Sequence, residues 1–320
     1  MKNILSFLAT SDDYVVETQN LEHYSEAQPL IIFITSKTIA SYIAKFGSSV
    51  IGLDATFNIT MYSFALFAIM GRCEGGGVPF GYFVSSHKSE IAVTHGLIMF
   101  KRNVSHLLSH RASTISGCHL TVPNFSPLCI CIDKDEAERA AIKTVFPDSL
   151  IILCHYHFMV IIVDEARALR HSLTEDQVIA LMNVIRKLAA STTLTDFQQC
   201  LFDIKSVSIS FYKYLEANFL NERWVDTFSE VNREHLPWAV LRSCRSNMLV
   251  EVSFRTLKYT IHNGLRNKRL DELLFSIVFK LIPYFIVREK GSSIMKPRLL
   301  PPLSVRQEGT LLFRFVENDL

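Results

Sequence analysis

No stretch of this chain is long and apolar enough to span a membrane as a helix. The most apolar late segment, "LLFSIVFKLIPYFIV", falls short of the roughly 20 residues that a spanning helix needs. It also contains Lys280 and Pro283, so it reads as a buried core helix with a kink or break. A secretory leader is not expected, because the apolar part of "MKNILSFLATSDDYVVET" is short and soon followed by acids. Excess charge of one sign is lacking too. Lys and Arg number 33 against 31 Asp and Glu, a net +2 with pI near 8.1. A nucleic-acid partner must therefore be met by a local basic face rather than by overall charge. The seven cysteines, Cys73, Cys118, Cys129, Cys131, Cys154, Cys200 and Cys244, are odd in number and lack a disulfide-like spacing. That favours a reducing compartment, cytosol or nucleus. Low-complexity tracts and long charge blocks are absent, so disorder is not expected away from the two ends.

What is present suffices for a full core: 49% of 320 residues are hydrophobic, enough for one large domain or two small ones. "QPLIIFITSKTIASYIAKFG" holds a β-type run and then a short helix ending at Gly47. From Ser49 the pattern turns strand-rich, with "SVIGLDATF", "SFALFAIMGRC" and "VPFGYFVSS" as three strands. Glycines in "EGGG", Glu74 to Gly77, suit a tight hairpin between the last two, giving an antiparallel meander. A helix follows, with Ser89 as its N-cap. "LCICID" then predicts a strand ending at Asp133, followed by an amphipathic helix that stops before Pro147. "SLIILCHYH" predicts another strand, with helix from about Phe158. Strand–helix–strand–helix is the pattern of a parallel crossover unit. From Leu173 to Trp238 the chain reads mostly as helices.

Asp54 and Asp133 each stand where an apolar strand ends. In the expected topology those strands are neighbours, so two carboxylates meet at one sheet edge. Like charges that close repel unless a cation lies between them. Mg²⁺ or Mn²⁺ accepts such oxygens and leaves room for substrate phosphates, and a two-ion site serves in-line phosphoryl displacement. A third carboxylate is expected from a helix beside the sheet. Glu251 borders the stripe Val250, Phe254, Leu257 and Ile261 and is the candidate. Glu222, Glu230 and Glu234 compete for that role, while Asp135 and Glu136 suit the start of a helix better than a metal. Taken alone, a strand-end aspartate is most often a turn or capping residue.

In order along the chain, "VIGLDATFNITMYSFALFAIMGRCEGGGVPFGYFVSS", "CIDKDEAERAAIKTVFPDSLIILCHYH" and "SNMLVEVSFRTLKY" resemble the transposase of Mutator-like elements (MULE), from about Ile31 to Leu281. The resemblance implies an RNase H-like α/β fold, a mixed sheet of three antiparallel strands plus parallel ones flanked by helices, with an all-helical insertion. It implies a DDE catalytic set of Asp54, Asp133 and Glu251 binding Mg²⁺ or Mn²⁺ as two ions. Thr56 of the Asp-x-Thr motif and the pair Cys154 and His157 support that set. The aromatic before the motif histidine, often tryptophan in the family, is Tyr156 here. No cysteine follows Cys244, and the chain begins close to the core.

The division that follows is a lead-in packing on the core (1–48), the first part of the core (49–172), a helical insertion (173–240), helices that complete the core (241–290) and a tail (291–320). Cys154 and His157 have the spacing of a zinc half-site, for which Cys129 and Cys131 are the suggestive partners. Free cysteine packs well in cores. We expect Cys154 to pack below the site and His157 to lie near the scissile phosphate or orient a neighbour, without structural zinc. Arg242, Arg245, Arg255, Lys258, Arg266, Lys268 and Arg269 surround Glu251 and are the expected DNA contacts. The expected activity is DNA strand cleavage and strand transfer in the nucleus, on transposon ends and target, with a homo-oligomer pairing two ends. The rival is a domesticated, catalytically silent DNA-binding or regulatory protein on the same fold. A third reading is a cellular RNase H-like nuclease, which the large helical block disfavours.

Overall fold

The computed structural model describes residues 5–7, 10–73, 76–116, 125–168, 171–231 and 246–294. Among them seven strands form one sheet: β1 (Tyr14–Gln19), β2 (Ile31–Ser36), β3 (Val50–Thr56), β4 (Ala65–Cys73), β5 (Gly76–Ser85), β6 (Cys129–Ile132) and β7 (Leu150–Leu153). Their order across the sheet is β1-β2-β5-β4-β3-β6-β7. The pairs from β1 to β3 are antiparallel, and β3, β6 and β7 run parallel. This is the mixed α/β sheet that the sequence predicts, with β3 between its antiparallel and parallel parts.

All six residues of β2 are buried, as are the first seven of β4, so these strands read as apolar runs rather than alternations. That is the signature of a sheet covered on both faces. The helices that cover it are α1 (Ala40–Phe46), α2 (Glu90–Ser116), α3 (Glu136–Val145), α4 (His155–Ala166), α9 (Met248–Arg255), α10 (Leu270–Ser276) and α11 (Ile282–Ile294). Between them in sequence come α5 (Glu175–Ala189), α6 (Leu194–Val207), α7 (Ile209–Asn218) and the short α8 (Val225–Phe228). Thr174, Thr193 and Ser208 cap α5, α6 and α7 with side-chain oxygens, and Thr174 forms a full capping box with Gln177. Aromatic and polar contacts tie this helical block to the core. Phe158 of α4 stacks on Phe228 at 4.9 Å between ring centres. Trp224 donates its indole N–H to Glu136 at 2.7 Å.

Three local readings change. Tyr14–Gln19 is a strand, which the sequence does not advertise because its alternation is weak and acids precede it. α4 starts at His155, not near Phe158, because Cys154 takes the N-cap position directly after β7. The apolar run around Pro283 does not break at the proline. It passes through a π-turn over Ile277–Leu281 and continues as α11. A π-turn is one way a helix absorbs a lost backbone donor. A similar π-turn, Thr256–Ile261, extends α9. Among the described residues no helix is long and apolar enough to cross a membrane.

Candidate functional site

β3 and β6 set the site. Their parallel register pairs Gly52 with Cys131, and two further residues along both strands come Asp54 and Asp133. Side chains two apart on a strand share a face, so both acids stand on the face that Gly52 leaves open for α9. A Cβ at Gly52 would lie 2.4 Å from Asn247 Oδ1 and 3.0 Å from Val250 Cγ2. Glycine there lets α9 approach the strand. Asn247, fully buried just before α9, clips the helix down: its Nδ2 donates to the Leu53 carbonyl at 2.7 Å and its backbone N–H to Cys154 Sγ at 3.3 Å. Ser253 completes the seat through a 2.7 Å hydrogen bond with buried Tyr82.

This docking brings Glu251 to the aspartates. His157, in the first turn of α4, stands between them, with Nδ1 2.8 Å from Asp133 Oδ1 and 3.7 Å from Glu251 Oε1. Asp133 Oδ1 and His157 Nδ1 are both buried and lack an aligned hydrogen bond despite their closeness. Asp133, Cys154 and His157 also offer donor atoms all within 4.8 Å of one another. Asp133 thus joins the Cys154–His157 pair as a third close donor, Cys131 meets Cys154 through a hydrogen bond, and Cys129 packs with Val50 and Ile152. Thr56 is buried two residues beyond Asp54.

The electrostatics follow from this crowding. Burial, and then the Asp133 charge, raise the Asp54 carboxyl to about 7, against a 2.6 Å hydrogen bond that it accepts from the Ala55 N–H. Burial also raises Glu251. Asp133 first, and Cys154 next, push His157 up to about 11, so the ring is cationic at neutral pH. Cys154 falls to about 5, chiefly through a hydrogen bond from Cys131, with His157 and the Asn247 N–H adding to it. The imidazolium thus supplies positive charge among three carboxylates that need it. Closely spaced carboxylates at one sheet edge, with an Asp133 oxygen left without an aligned partner, fit a divalent cation.

Two residues at this edge escape a reading from sequence. Glu138, on α3, is 1% exposed and neither carboxylate oxygen has a hydrogen-bond partner. Its charge is coupled to Asp54, Asp135, Lys88 and Asp133. Lys88 pairs with Asp135 at 2.8 Å. Asp135 is the N-cap of α3, as its position suggests, and Glu136 serves the Trp224 bond. Of the rival glutamates, Glu222 lines a surface groove with Lys134 and Glu136. Glu230 is buried after α8, and Glu234 lies outside the described residues. Among the basic candidates, Arg255 and Lys258 feel the charges of Glu251 and Asp54 respectively. Arg266 neighbours Lys258, Lys268 bridges to Thr60, and Arg269 grips Asp271 at 2.7 Å. Arg242 and Arg245 lie outside the described residues.

Asp54 lies inside β3, two residues before its end rather than at it, and Asp133 directly follows β6. A mixed sheet with acids so placed on adjacent parallel strands, and a glutamate-bearing helix laid over them, is the arrangement of an RNase H-like α/β domain. Within that class the comparison is specific: residues 50–161 match the model of the MULE transposase domain, so this part of the chain is similar to that family's domain. The match holds Asp54, Thr56, Asp133, Cys154 and His157 and ends before Glu251. No curated protein matches the chain.

The Gly52 contact gives a direct test of how Glu251 is placed. Gly52→Ala is expected to displace Asn247 and lift α9, lowering stability by about 1–3 kcal/mol. Mn²⁺ affinity should fall with it, whereas Gly291→Ala, where an added Cβ meets no atom within 4 Å, should leave Mn²⁺ affinity unchanged. Calorimetric titration and thermal melting of both variants read this out.

Proposed function

We propose that this protein is the catalytic domain of a DDE-type DNA transposase, cleaving and joining DNA strands with divalent metal. The observation that carries the reading is the meeting at His157 of acids from three distant segments: Asp133 at 2.8 Å and Glu251 at 3.7 Å, with Asp54 beside Asp133 on the neighbouring strand. Asp54, Asp133 and Glu251 would hold the metal, Mg²⁺ or Mn²⁺ as two ions. Ions so held supply Lewis-acid polarisation to the attacking and leaving oxygens of a phosphodiester.

The chain's own groups have separable tasks. Asp54 and Asp133 present oxygens from rigid strands, the best support for a precise site. Asn247 and the Tyr82–Ser253 bond set the depth of Glu251. His157 brings its positive charge to within 2.8 Å of Asp133 and 3.7 Å of Glu251 and offsets the repulsion among the acids. Cys154 packs beneath and balances the imidazolium. Lys258, Arg255 and Arg266 offer cations to the DNA backbone at the same edge, and Arg242, Lys268 and Arg269 with Arg245 extend that reading along the chain. With chromosomal DNA as its substrate the protein would act in the nucleus, and pairing two transposon ends would call for a second copy.

The test is nicking of supercoiled plasmid and joining of labelled oligonucleotides by purified protein in Mn²⁺. Glu251→Gln should lower both by at least about a hundredfold, while Glu230→Gln leaves them near wild type. Equal activity of Glu251→Gln and wild type would overturn the assignment.

A further inference from the structure

Immediately beyond Thr56, at the sheet edge that bears Asp54, the 57–64 loop is fastened to the 262–269 loop. Thr60 and Lys268 form an isolated parallel bridge. Lys268 N–H donates to the Ile59 carbonyl at 2.7 Å, and Met61 N–H to the Lys268 carbonyl at 3.1 Å. Among the described residues six non-glycine residues have positive φ, and four of them lie here: Asn58, Ser63, Asn263 and Asn267. Such backbone persists only where its surroundings hold it, so the two loops form one pre-shaped clasp.

The clasp holds large apolar groups out in solvent. Tyr62 is 53% and Met61 56% exposed. Tyr62 stacks on buried Phe64 at 5.4 Å with the ring planes 30° apart, and Tyr24 meets Phe64 edge-on at 5.8 Å. Phe57 stands partly exposed under the Lys88 ammonium at 5.2 Å. Cations lie at the same edge: Lys258 within the field of Asp54, Arg266 beside it, and Arg269, paired with Asp271, within reach of Tyr62. Exposed apolar groups gathered at one place mark a contact surface. Aromatic faces set among lysines and arginines beside a phosphoryl-transfer site match flat rings on a polyanionic strand. In a duplex the base faces are stacked on one another and unavailable, so the ring platform suits nucleotides that have left the duplex.

We propose that this clasp is a stacking platform for unpaired nucleotides of the DNA strand next to the scissile phosphate, with Tyr62 as its principal face. The inference rests on the DNA-processing reading above but adds the form of the substrate: DNA opened or distorted at the cleavage point.

The experiment measures anisotropy of a fluorescent duplex with a short unpaired flap, and of the same duplex fully paired, in EDTA. Wild type should favour the flapped probe. Tyr62→Ala should lose about tenfold in affinity for the flap and change less than twofold for the paired probe, and Tyr62→Trp should retain flap binding. Arg266→Ala should instead weaken both probes alike and flatten the salt dependence. A wild-type protein that binds both probes equally, or Tyr62→Ala with undiminished flap preference, overturns the platform. Phe57→Ala, tested in parallel, guards against a misfolded Tyr62 variant and should also reduce the preference. Because the assay contains no metal, it stands apart from catalysis. Asp54→Asn keeps the preference if the platform is right, whatever the nicking assay shows.

Discussion

Replacing Asp54 with asparagine is expected to abolish metal-dependent strand cleavage, by roughly a thousandfold or more, and at the same time to raise the melting temperature of the metal-free protein at pH 7.5. The two effects have one cause. Burial and the neighbouring Asp133 raise the Asp54 carboxyl from 3.8 to about 7. The folded chain therefore holds this proton more tightly than the unfolded chain does. For an acid shifted upward, the stabilising contribution is complete below about pH 4 and is lost as pH rises through about 7. A shift of that size corresponds to about 4 kcal/mol across the window. Asparagine does not ionise and keeps an oxygen for the Ala55 N–H, so the variant escapes the loss. Metal reverses the ranking. Mn²⁺ should raise the melting temperature of wild type at pH 7.5 by offsetting the Asp54–Asp133 repulsion, and it should do little for the variant. Scanning calorimetry from pH 5 to 8, in EDTA and in Mn²⁺, gives both readings. A variant that melts below wild type in EDTA at pH 7.5, or that gains as much from Mn²⁺, contradicts this account.

The same aspartate shows how far a sequence speaks for a fold. An apolar run that stops at an acid is visible in "VIGLDAT" and "CICID", and it predicts two strands ending at one edge. The antiparallel meander and the parallel crossover follow from run lengths and turn residues, and the structure has both. The rest is tertiary. Gly52 is only a glycine within a strand until α9 is seen lying on it, and Asn247 resembles any polar residue before a helix. The fastening of the 57–64 and 262–269 loops joins segments some two hundred residues apart, and no local pattern foretells it. The π-turns leave no periodic trace, since the apolar stripe of α9 runs through its own without a break. Glu138 is the instructive omission. In "DKDEAERAAIKTVF" it looks like one more acid in a first helical turn, where acids belong. Yet Ala141, Ile142 and Val145 follow it at spacings of three, four and seven, and that stripe is the buried face. The spacing was there to be read, and composition obscured it.

Glu138 also yields the second large effect, of opposite sign on stability and on metal binding. Its carboxylate is buried without a hydrogen-bond partner, and burial first, then the charges of Asp54 and Asp135, raise its pKa well above the usual range, with Lys88 opposing. The folded protein thus loses stability as pH rises above about 4.5 and the acid is forced toward ionisation. Glu138→Gln removes that titration and keeps the side chain's volume. We expect it to match wild type near pH 4 and to exceed it increasingly toward pH 8, by on the order of 1–4 kcal/mol. Removing the acid should also weaken the field that draws a cation to Asp54 and Asp133, so Mn²⁺ affinity should fall several-fold although the protein is more stable. Stability given up at a functional edge is a common natural compromise. Urea unfolding across pH, paired with calorimetric Mn²⁺ titration, distinguishes this from a packing role. If Glu138 serves packing alone, Glu138→Gln shows a pH-independent change in stability and no change in Mn²⁺ affinity.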